Sequence, residues 1–538
     1  MVLIFDPISC LAQYTYTPSN LSYSSKAPIG SNGFVSGSAS DTIYVTTGGS
    51  DTTGTGTSNN PYASLAMAIS NASAGNVIKF ATGNYNITTA ITLDSTNAFA
   101  LTITGGSSDA SATTLSGSVN RLIYGDDINN HNNDSLAWIW KNLTVQNFSD
   151  TTSNQDGAAF FLKYVDAWEF INVVFYNNVN SGSNGDGGVF TLWLAGTNAY
   201  PITFMDCIFD GNKVTSSGGR GGAMYANATS KADFYRCIFK NNYAEGYGGG
   251  VYMWGGILKF YDCLFYKNWT KTYGGGALYT GYNSSWTRPY LTNCTFTENT
   301  AGVDSTIYSA TNSVSGGKGG AVSATVSDTT RVHIYNTIMF NNDGEGTDYD
   351  DLYTNGQSNT NIYNSCFGST DASLASSAPN YNLAEGTDPL FNNVAGQDYT
   401  ITIGSPAKNS GCSACPDDHW GSSLTTQTTD LLGKPRIGNY DMGSYEEQTS
   451  VSTLINEKHT NALEVYPDPF SKSFTVLIPN KFGQHTLNIY DIAGNRLRTF
   501  ENSISDRVVV EKGRMTPGVY FIELRSGTQT LKAKVLVE

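Results

Sequence analysis

Cys207-Ile208-Phe209-Asp210-Gly211-Asn212, Cys237-Ile238-Phe239-Lys240-Asn241-Asn242, Cys263-Leu264-Phe265-Tyr266-Lys267-Asn268 and Cys294-Thr295-Phe296-Thr297-Glu298-Asn299 state one pattern four times. A short strand holds a cysteine and a phenylalanine, and an asparagine follows the Phe by three residues. Between the copies stand Gly221-Gly222-Ala223, Gly249-Gly250-Val251, Gly275-Gly276-Ala277 and, further on, Gly319-Gly320-Ala321. The Phe positions advance by 30, 26 and 31 residues, from 209 to 239, 265 and 296. Upstream, Val173-Val174-Phe175 with Asn178 and Gly187-Gly188-Val189 fit the frame, and Leu143-Thr144-Val145 fits it loosely; downstream, Ile338-Met339-Phe340 continues it.

A period of this length made of short Val/Ile/Phe/Tyr strands and Gly/Asn/Ser/Thr turns predicts an all-β parallel β-helix, because one coil cannot bury its own apolar face and must stack on the next. Like residues then form ladders at the ~4.8 Å strand spacing. Phe stacks on Phe inside, and Asn on Asn at a bend, where each amide donates to the next and so avoids the cost of a buried unpaired polar group. The double glycines allow a positive φ or a close backbone approach at a second corner.

Composition agrees. Gly 56, Tyr 33 and Phe 25 among 538 residues, with 14% charged, describe a turn-rich folded β chain. A solenoid of this length needs no second core. The formal charge of -15 argues against nucleic acid and anionic membrane surfaces as partners, and against a polyanionic substrate without a bridging cation. No apolar run reaches the ~18 residues of a membrane helix. Residues 1–13 read as a truncated signal peptide and 14–40 as a Ser/Gly/Tyr-rich linker. The rod is expected over 41–447, opened by Ile43-Tyr44-Val45 and by a short amphipathic helix carrying Leu65, Ile69 and Ala72, which would close the open end of the stack.

The rod's far end holds Asp388-Pro389-Leu390-Phe391, Ser405-Pro406-Ala407, Asp430-Leu431-Leu432-Gly433-Lys434-Pro435-Arg436 and Asp441-Met442-Gly443-Ser444-Tyr445-Glu446. With the repeats, these resemble the closing segment of bacterial right-handed β-helix proteins of the pectin-lyase-like superfamily, which implies the fold and leaves open whether the chain is a lyase, a hydrolase or an adhesin.

Residues 451–538 carry 11 Lys+Arg and 9 Asp+Glu, leaving 19 basic and 36 acidic residues before them. After a linker at 448–462, residues 463–538 contain Tyr466-Pro467-Asp468-Pro469-Phe470, Leu487-Asn488-Ile489-Tyr490-Asp491-Ile492-Ala493-Gly494, Pro517-Gly518-Val519-Tyr520 and Lys532-Ala533-Lys534-Val535. They resemble the type A C-terminal sorting domain of the type IX secretion system. The resemblance implies a small Ig-like β-sandwich, the secretion machinery as a partner, and delivery across both membranes to the cell surface or the medium.

Cys207, Cys237, Cys263 and Cys294 share one slot and are expected to stack inward as free thiols, since parallel side-chain vectors do not reach the ~90° torsion of a disulfide. Cys412 and Cys415 sit in a Gly/Ser/Pro loop, where a local disulfide is expected over a redox or zinc site, because one CxxC lacks four zinc ligands.

Catalytic signatures are sparse. No His stands between two glycines as in polygalacturonase-like hydrolases, and Asp126-Asp127 is the adjacent acidic pair of the early coils. Lyases of the fold need a Lys or Arg base, often beside carboxylate-bound calcium. Arg220 and Lys318 each precede a double glycine, and Glu345, Asp348, Asp350 and Asp351 form the densest carboxylate cluster, with calcium as the one candidate cofactor. No catalytic residue is assigned. The binding reading rests on Tyr243, Tyr247, Trp269 and Tyr273, which fall between the Asn and the glycines, where side chains are expected to face solvent and stack on sugars. The alternation of glycine and Phe-x-x-Asn motifs also resembles the passenger domains of polymorphic outer-membrane adhesins. The expectation is an exported rod that binds an extracellular glycan or a host or neighbouring cell surface without catalysis, with a polysaccharide lyase or glycoside hydrolase as the alternative.

Overall fold

The computed structural model describes residues 42–537 apart from 94–98, 118–119, 126–137, 153–155, 197–200, 228, 282–286, 303–316, 325–330, 345–349, 355–359, 373–379, 414–427, 449–462, 467–468, 479–483, 504–506 and 527–528. The chain forms two compact units, Met1–Gln448 and Thr449–Glu538.

Among the described residues of the first unit, three parallel sheets of nineteen, nine and five strands build the stack, the five-stranded one over residues 149–270. Each coil contributes two strands to the long sheet, as with Lys231–Tyr235 and Ile238–Lys240, then Tyr243–Ala244 to the five-stranded sheet and Val251–Met253 to the nine-stranded one. The break between the two long-sheet strands comes at a left-handed residue just before the cysteine slot: Asn142, Asn172, Asp206, Arg236, Asp262, Asn293, Asn336 and Asn364. Asn and Asp visit this conformation most readily, which explains their predominance there.

The register confirms the repeat. Phe209 pairs with Phe239, Phe239 with Phe265 and Phe265 with Phe296. Their rings stack at 4.4, 4.6 and 4.4 Å, close to the strand spacing. A second ladder, Phe170, Phe204, Phe234 and Phe260, stacks beside it at 4.9, 4.7 and 4.6 Å. All these rings are fully buried.

Two alignments read from sequence shift by one residue. Met339, not Phe340, pairs with Phe296 and takes the Phe column, and Asn342 three residues on keeps the spacing. Likewise Val251 pairs with Met224, so the glycines matching Gly221-Gly222 are Gly248-Gly249, and Gly250 stands in the Ala column. The two glycines of each corner have different causes. Gly221, Gly248, Gly275 and Gly319 have φ of +70, +63, +74 and +66°. Gly222, Gly249 and Gly276 instead lack room, since a Cβ on each would lie 2.0 to 2.3 Å from the carbonyl oxygen of the next coil.

The asparagine ladder accounts for every donor. Asn178, Asn212, Asn242, Asn268 and Asn299 each donate Nδ2 to the Oδ1 of the next rung, at 2.8 to 3.0 Å, ending on Asn342. The backbone N–H of each rung reaches the same oxygen, and from Asn212 onward the second amide hydrogen goes to the carbonyl of a Phe one coil back, as from Asn242 to Phe209. The thiols are buried and free, each within reach of a carbonyl in the preceding coil, as Cys237 is of Phe204. Burial pushes Cys207 and Cys263 well up.

Helix Leu65–Ser70, capped by the Ser64 hydroxyl on the Met67 amide, buries Leu65, Ala68 and Ile69 against the first coils. Past the last coil the chain folds back over the outer face of the long sheet, packing Tyr399, Leu431 and Tyr445 with Leu264 and Tyr266. Arg436, wholly buried, pins this segment by ion pairs to Asp262 at 2.5 Å and Glu446 at 3.2 Å.

The second unit packs a three-stranded antiparallel sheet (Glu464–Tyr466, Ser473–Leu477, Arg507–Glu511) and a four-stranded one (His485–Tyr490, Arg496–Ser503, Gly518–Ser526, Gln529–Val537) around its own core of Phe474, Val476, Leu487, Ile489, Val510, Ile522 and Val535.

Candidate functional site

The four aromatic residues singled out in the sequence lie on one outer face of two successive coils. Tyr243 pairs in register with Trp269, their ring centroids 4.1 Å apart, and Tyr247 stacks on Tyr273 at 4.2 Å with the planes 8° apart. Between the two ring pairs Lys271 Nζ meets Glu245 at 2.7 Å, and the Tyr243 hydroxyl donates to the other Glu245 oxygen. The geometry follows from alternation along an extended chain, which sends residues 243, 245 and 247 outward, and 269, 271 and 273 directly beneath them one coil later.

The expectation that all four rings face solvent needs correction. Tyr243 is 5% exposed, covered by Trp269, whereas Tyr273 is 37% exposed. A ring inside a ladder has a neighbour on each face, so whole faces remain only at the end. Trp269 is such an end, since the next coil sets Thr300 beside it.

Sequence reasoning missed the other half of the face. Tyr225, Tyr252 and Tyr279 stack outward on the nine-stranded sheet at 5.5 and 5.3 Å, and Tyr279 reaches Tyr247 at 4.6 Å. Arg220 lies over Tyr225 and Tyr252, at 4.8 and 5.2 Å. Its Nε donates to Asp186 Oδ1 at 3.0 Å and its Nη2 to Oδ2, a bidentate clamp. The Asp186 amide in turn donates to Asp156 Oδ1 at 3.0 Å. Burial, with the Asp186 charge adding to it, pushes Asp156 up to about 6. Although burial alone would lower it, the Asp186 ion pair holds the Arg220 guanidinium above its usual range. The signal was in the sequence: Tyr225, Tyr252 and Tyr279 recur every 27 residues, within one residue of the offset from Phe239 to Phe265.

Of the carboxylate cluster proposed for calcium, Asp350 and Asp351 are the members that can be placed. Glu345 and Asp348 lie outside the described residues, and Asp350 Oδ1 accepts from the Gly344 amide at 3.2 Å. Asp351 is 1% exposed and is the last rung of the asparagine ladder. Its Oδ1 accepts from Asn342 N and Nδ2 at 3.2 and 2.6 Å, and its Oδ2 from the amides of Gly368 and Ser369 at 2.7 and 2.9 Å. Burial pushes it up to about 7. An asparagine could extend the ladder but would aim its own NH2 at two N–H donors. Asp351→Asn is therefore expected to cost about 2–4 kcal/mol in thermal or denaturant unfolding, the price of two orphaned buried amides; a loss under ~0.5 kcal/mol, the size of an ordinary surface change, would remove Asp351 from the ladder. Asp126 and Asp127 lie outside the described residues. Cys412 is disulfide-bonded, and Cys415 lies outside them. Lys318 occupies the same column as Arg220 and lies over Tyr353 at 4.7 Å.

Comparison with known proteins adds the following. Residues 158–330 match the model of the right handed beta helix region, and residues 464–538 that of the secretion system C-terminal sorting domain. No curated protein matches the chain. Among solved structures it is similar to the pectate lyase Pel9A (13% identity, TM-score 0.42, covering 76% of this chain and 96% of that one) and to a rhamnogalacturonan lyase (11%, TM-score 0.30, 72% and 97%). At these scores neither likeness bears on function.

The first unit is thus a parallel β-helix, and its residues 158–330 match the right handed beta helix region. The second is a type IX sorting domain, and the chain is a β-helical protein exported by that route to the cell surface or the extracellular space. Among the described residues no helix is long and apolar enough to cross a membrane.

Proposed function

We propose that this protein is a non-catalytic glycan-binding adhesin, held or released outside the cell, whose ligand lies on the Trp269–Tyr273 edge of the aromatic face. The observation that carries the reading is the doubled motif itself: a tilted ring pair, Tyr243–Trp269, and a stacked one, Tyr247–Tyr273, flanking the Glu245–Lys271 pair, with Arg220 and Asp186 beside them. Ring faces suit the C–H faces of pyranoses, and planar charged pairs suit their hydroxyls, in the manner of sites that combine aromatic walls with a few fixed polar groups.

The alternative lyase reading would use Arg220 or Lys318 as the base, and Arg220 is the one beside the ring pairs. A guanidinium clamped through Nε and Nη2 by Asp186 stays protonated and cannot take up a proton. This supports a glycan that is held over one that is cut.

A glycan array probed with the full chain is expected to give ligands that the Trp269→Ala/Tyr273→Ala double variant loses. Incubation with pectate or alginate plus calcium is expected to give no rise in unsaturated-product absorbance. Calcium-dependent release abolished by Asp350→Ala would overturn the non-catalytic assignment.

A further inference from the structure

The charges around the aromatic face decide what kind of glycan it can take. An acidic polysaccharide is held by cations whose charge is not already spent. Here most basic side chains that flank the rings meet a carboxylate. Lys271 pairs with Glu245 at 2.7 Å, Lys240 with Asp210 at 3.3 Å, Lys267 with Glu298 at 3.9 Å, and Arg220 with Asp186. Among the described residues two cations of this face make no ion pair, exposed Lys213 next to Tyr243 and Lys318, one coil beyond Tyr273 and over Tyr353; Asp156 beside Asp186 and Asp343 in the Trp269 column offset them. The face is close to neutral, on a rod whose 35 acidic and 18 basic residues repel anions at a distance.

The pairs nonetheless remain reachable. The side chains of Lys271 and Arg220 keep 35% and 32% of their surface exposed, and those of Glu245 and Asp186 keep 22% and 5%. A paired guanidinium or ammonium with its carboxylate offers a donor and an acceptor side by side, the complement of a sugar diol, without offering net charge. Trp269 and Tyr273, four residues apart on one coil, are separated by at most ~13 Å of extended chain, a span that suits an oligosaccharide and exceeds a single sugar.

We infer that the ligand of this face is a neutral glycan, with an uncharged oligosaccharide stacked on Trp269 and Tyr273 and hydrogen-bonded to the Glu245–Lys271 and Asp186–Arg220 pairs. The inference rests on the glycan-binding reading above and gives it a substrate class.

Isothermal titration of the full-length protein with hexasaccharides separates the cases. The neutral probes are β-glucan and mannan oligomers, the acidic ones oligogalacturonate and oligoalginate, and the cationic one is chitosan oligomer. A neutral oligomer is expected to bind most tightly, with a Kd that changes less than about twofold between ~50 and ~500 mM salt, because no net charge is screened. Trp269→Ala is expected to weaken binding at least ~10-fold, and Trp269→Phe to restore most of it, with both variants melting as cooperatively as the parent. Tighter binding of an acidic or cationic oligomer, with a Kd that rises with salt, would overturn the neutral class while sparing the glycan-binding reading. Failure of every oligomer to bind, or binding indifferent to Trp269→Ala, would overturn both.

Discussion

Phe239→Ala is expected to cost about 3–5 kcal/mol, because the ring it removes sits between two others with nothing able to collapse into its place. Phe209 stacks on it from one side at 4.4 Å and Phe265 from the other at 4.6 Å, while Phe234 and Phe260 meet its edge at 5.7 and 6.0 Å. The strand hydrogen bonds fix the coil spacing, so neighbouring coils cannot close the gap. Phe239→Asp is expected to be worse, since it adds an unpaired buried charge to the lost packing. Tyr273→Ala, whose ring is 37% exposed and covered on one face by Tyr247, is expected to lose about 1 kcal/mol or less. Denaturant melts of the three variants measure the contrast. Equal tolerance at 239 and 273 would mean that inside and outside have been exchanged.

That contrast also marks what could be read without coordinates. The Phe and Asn columns were legible because like residues recur at one coil spacing and because each is buried for a reason that acts one coil at a time. The second Phe ladder was less so: Phe170, Phe204, Phe234 and Phe260 recur at the same spacing but have Leu291 as the next partner, so the column changes residue type while keeping its register. The one-residue slips at Met339 and Gly248 have a similar origin. Phe340 and Gly249-Gly250-Val251 looked right by composition, while pairing is set by backbone geometry and by the asparagine three residues on.

The functional face was half legible. Tyr243, Tyr247, Trp269 and Tyr273 could be placed together by coil arithmetic, but that Trp269 covers Tyr243 depends on side-chain direction, which sequence spacing does not fix. Asp351 depends on its surroundings in the same way. An acidic run in a loop suggests a cation, yet one member turns inward because a ladder of amides needs an acceptor at its end, and a carboxylate is the side chain that accepts on both oxygens.

Deleting residues 463–538 is expected to leave the rod folded and to abolish its appearance outside the cell. The sorting domain holds its own apolar core, from Leu463 to Val537, with none of the rod's core residues in it. The rod loses no ladder rung, no corner glycine and none of the ion pairs that Arg436 makes with Asp262 and Glu446. Its melt should therefore match that of the same region in the full chain. The export signal, by contrast, is lost whole, because the matched sorting-domain region begins at 464 and runs to the last residue. Fractionation with surface-protease accessibility reads the outcome: the truncated chain should be protected inside the cell envelope and absent from the medium. Display of that truncation at the parent level would show that export depends on some other part of the chain, and an unfolded truncation would show that the rod's stability borrows from the domain removed.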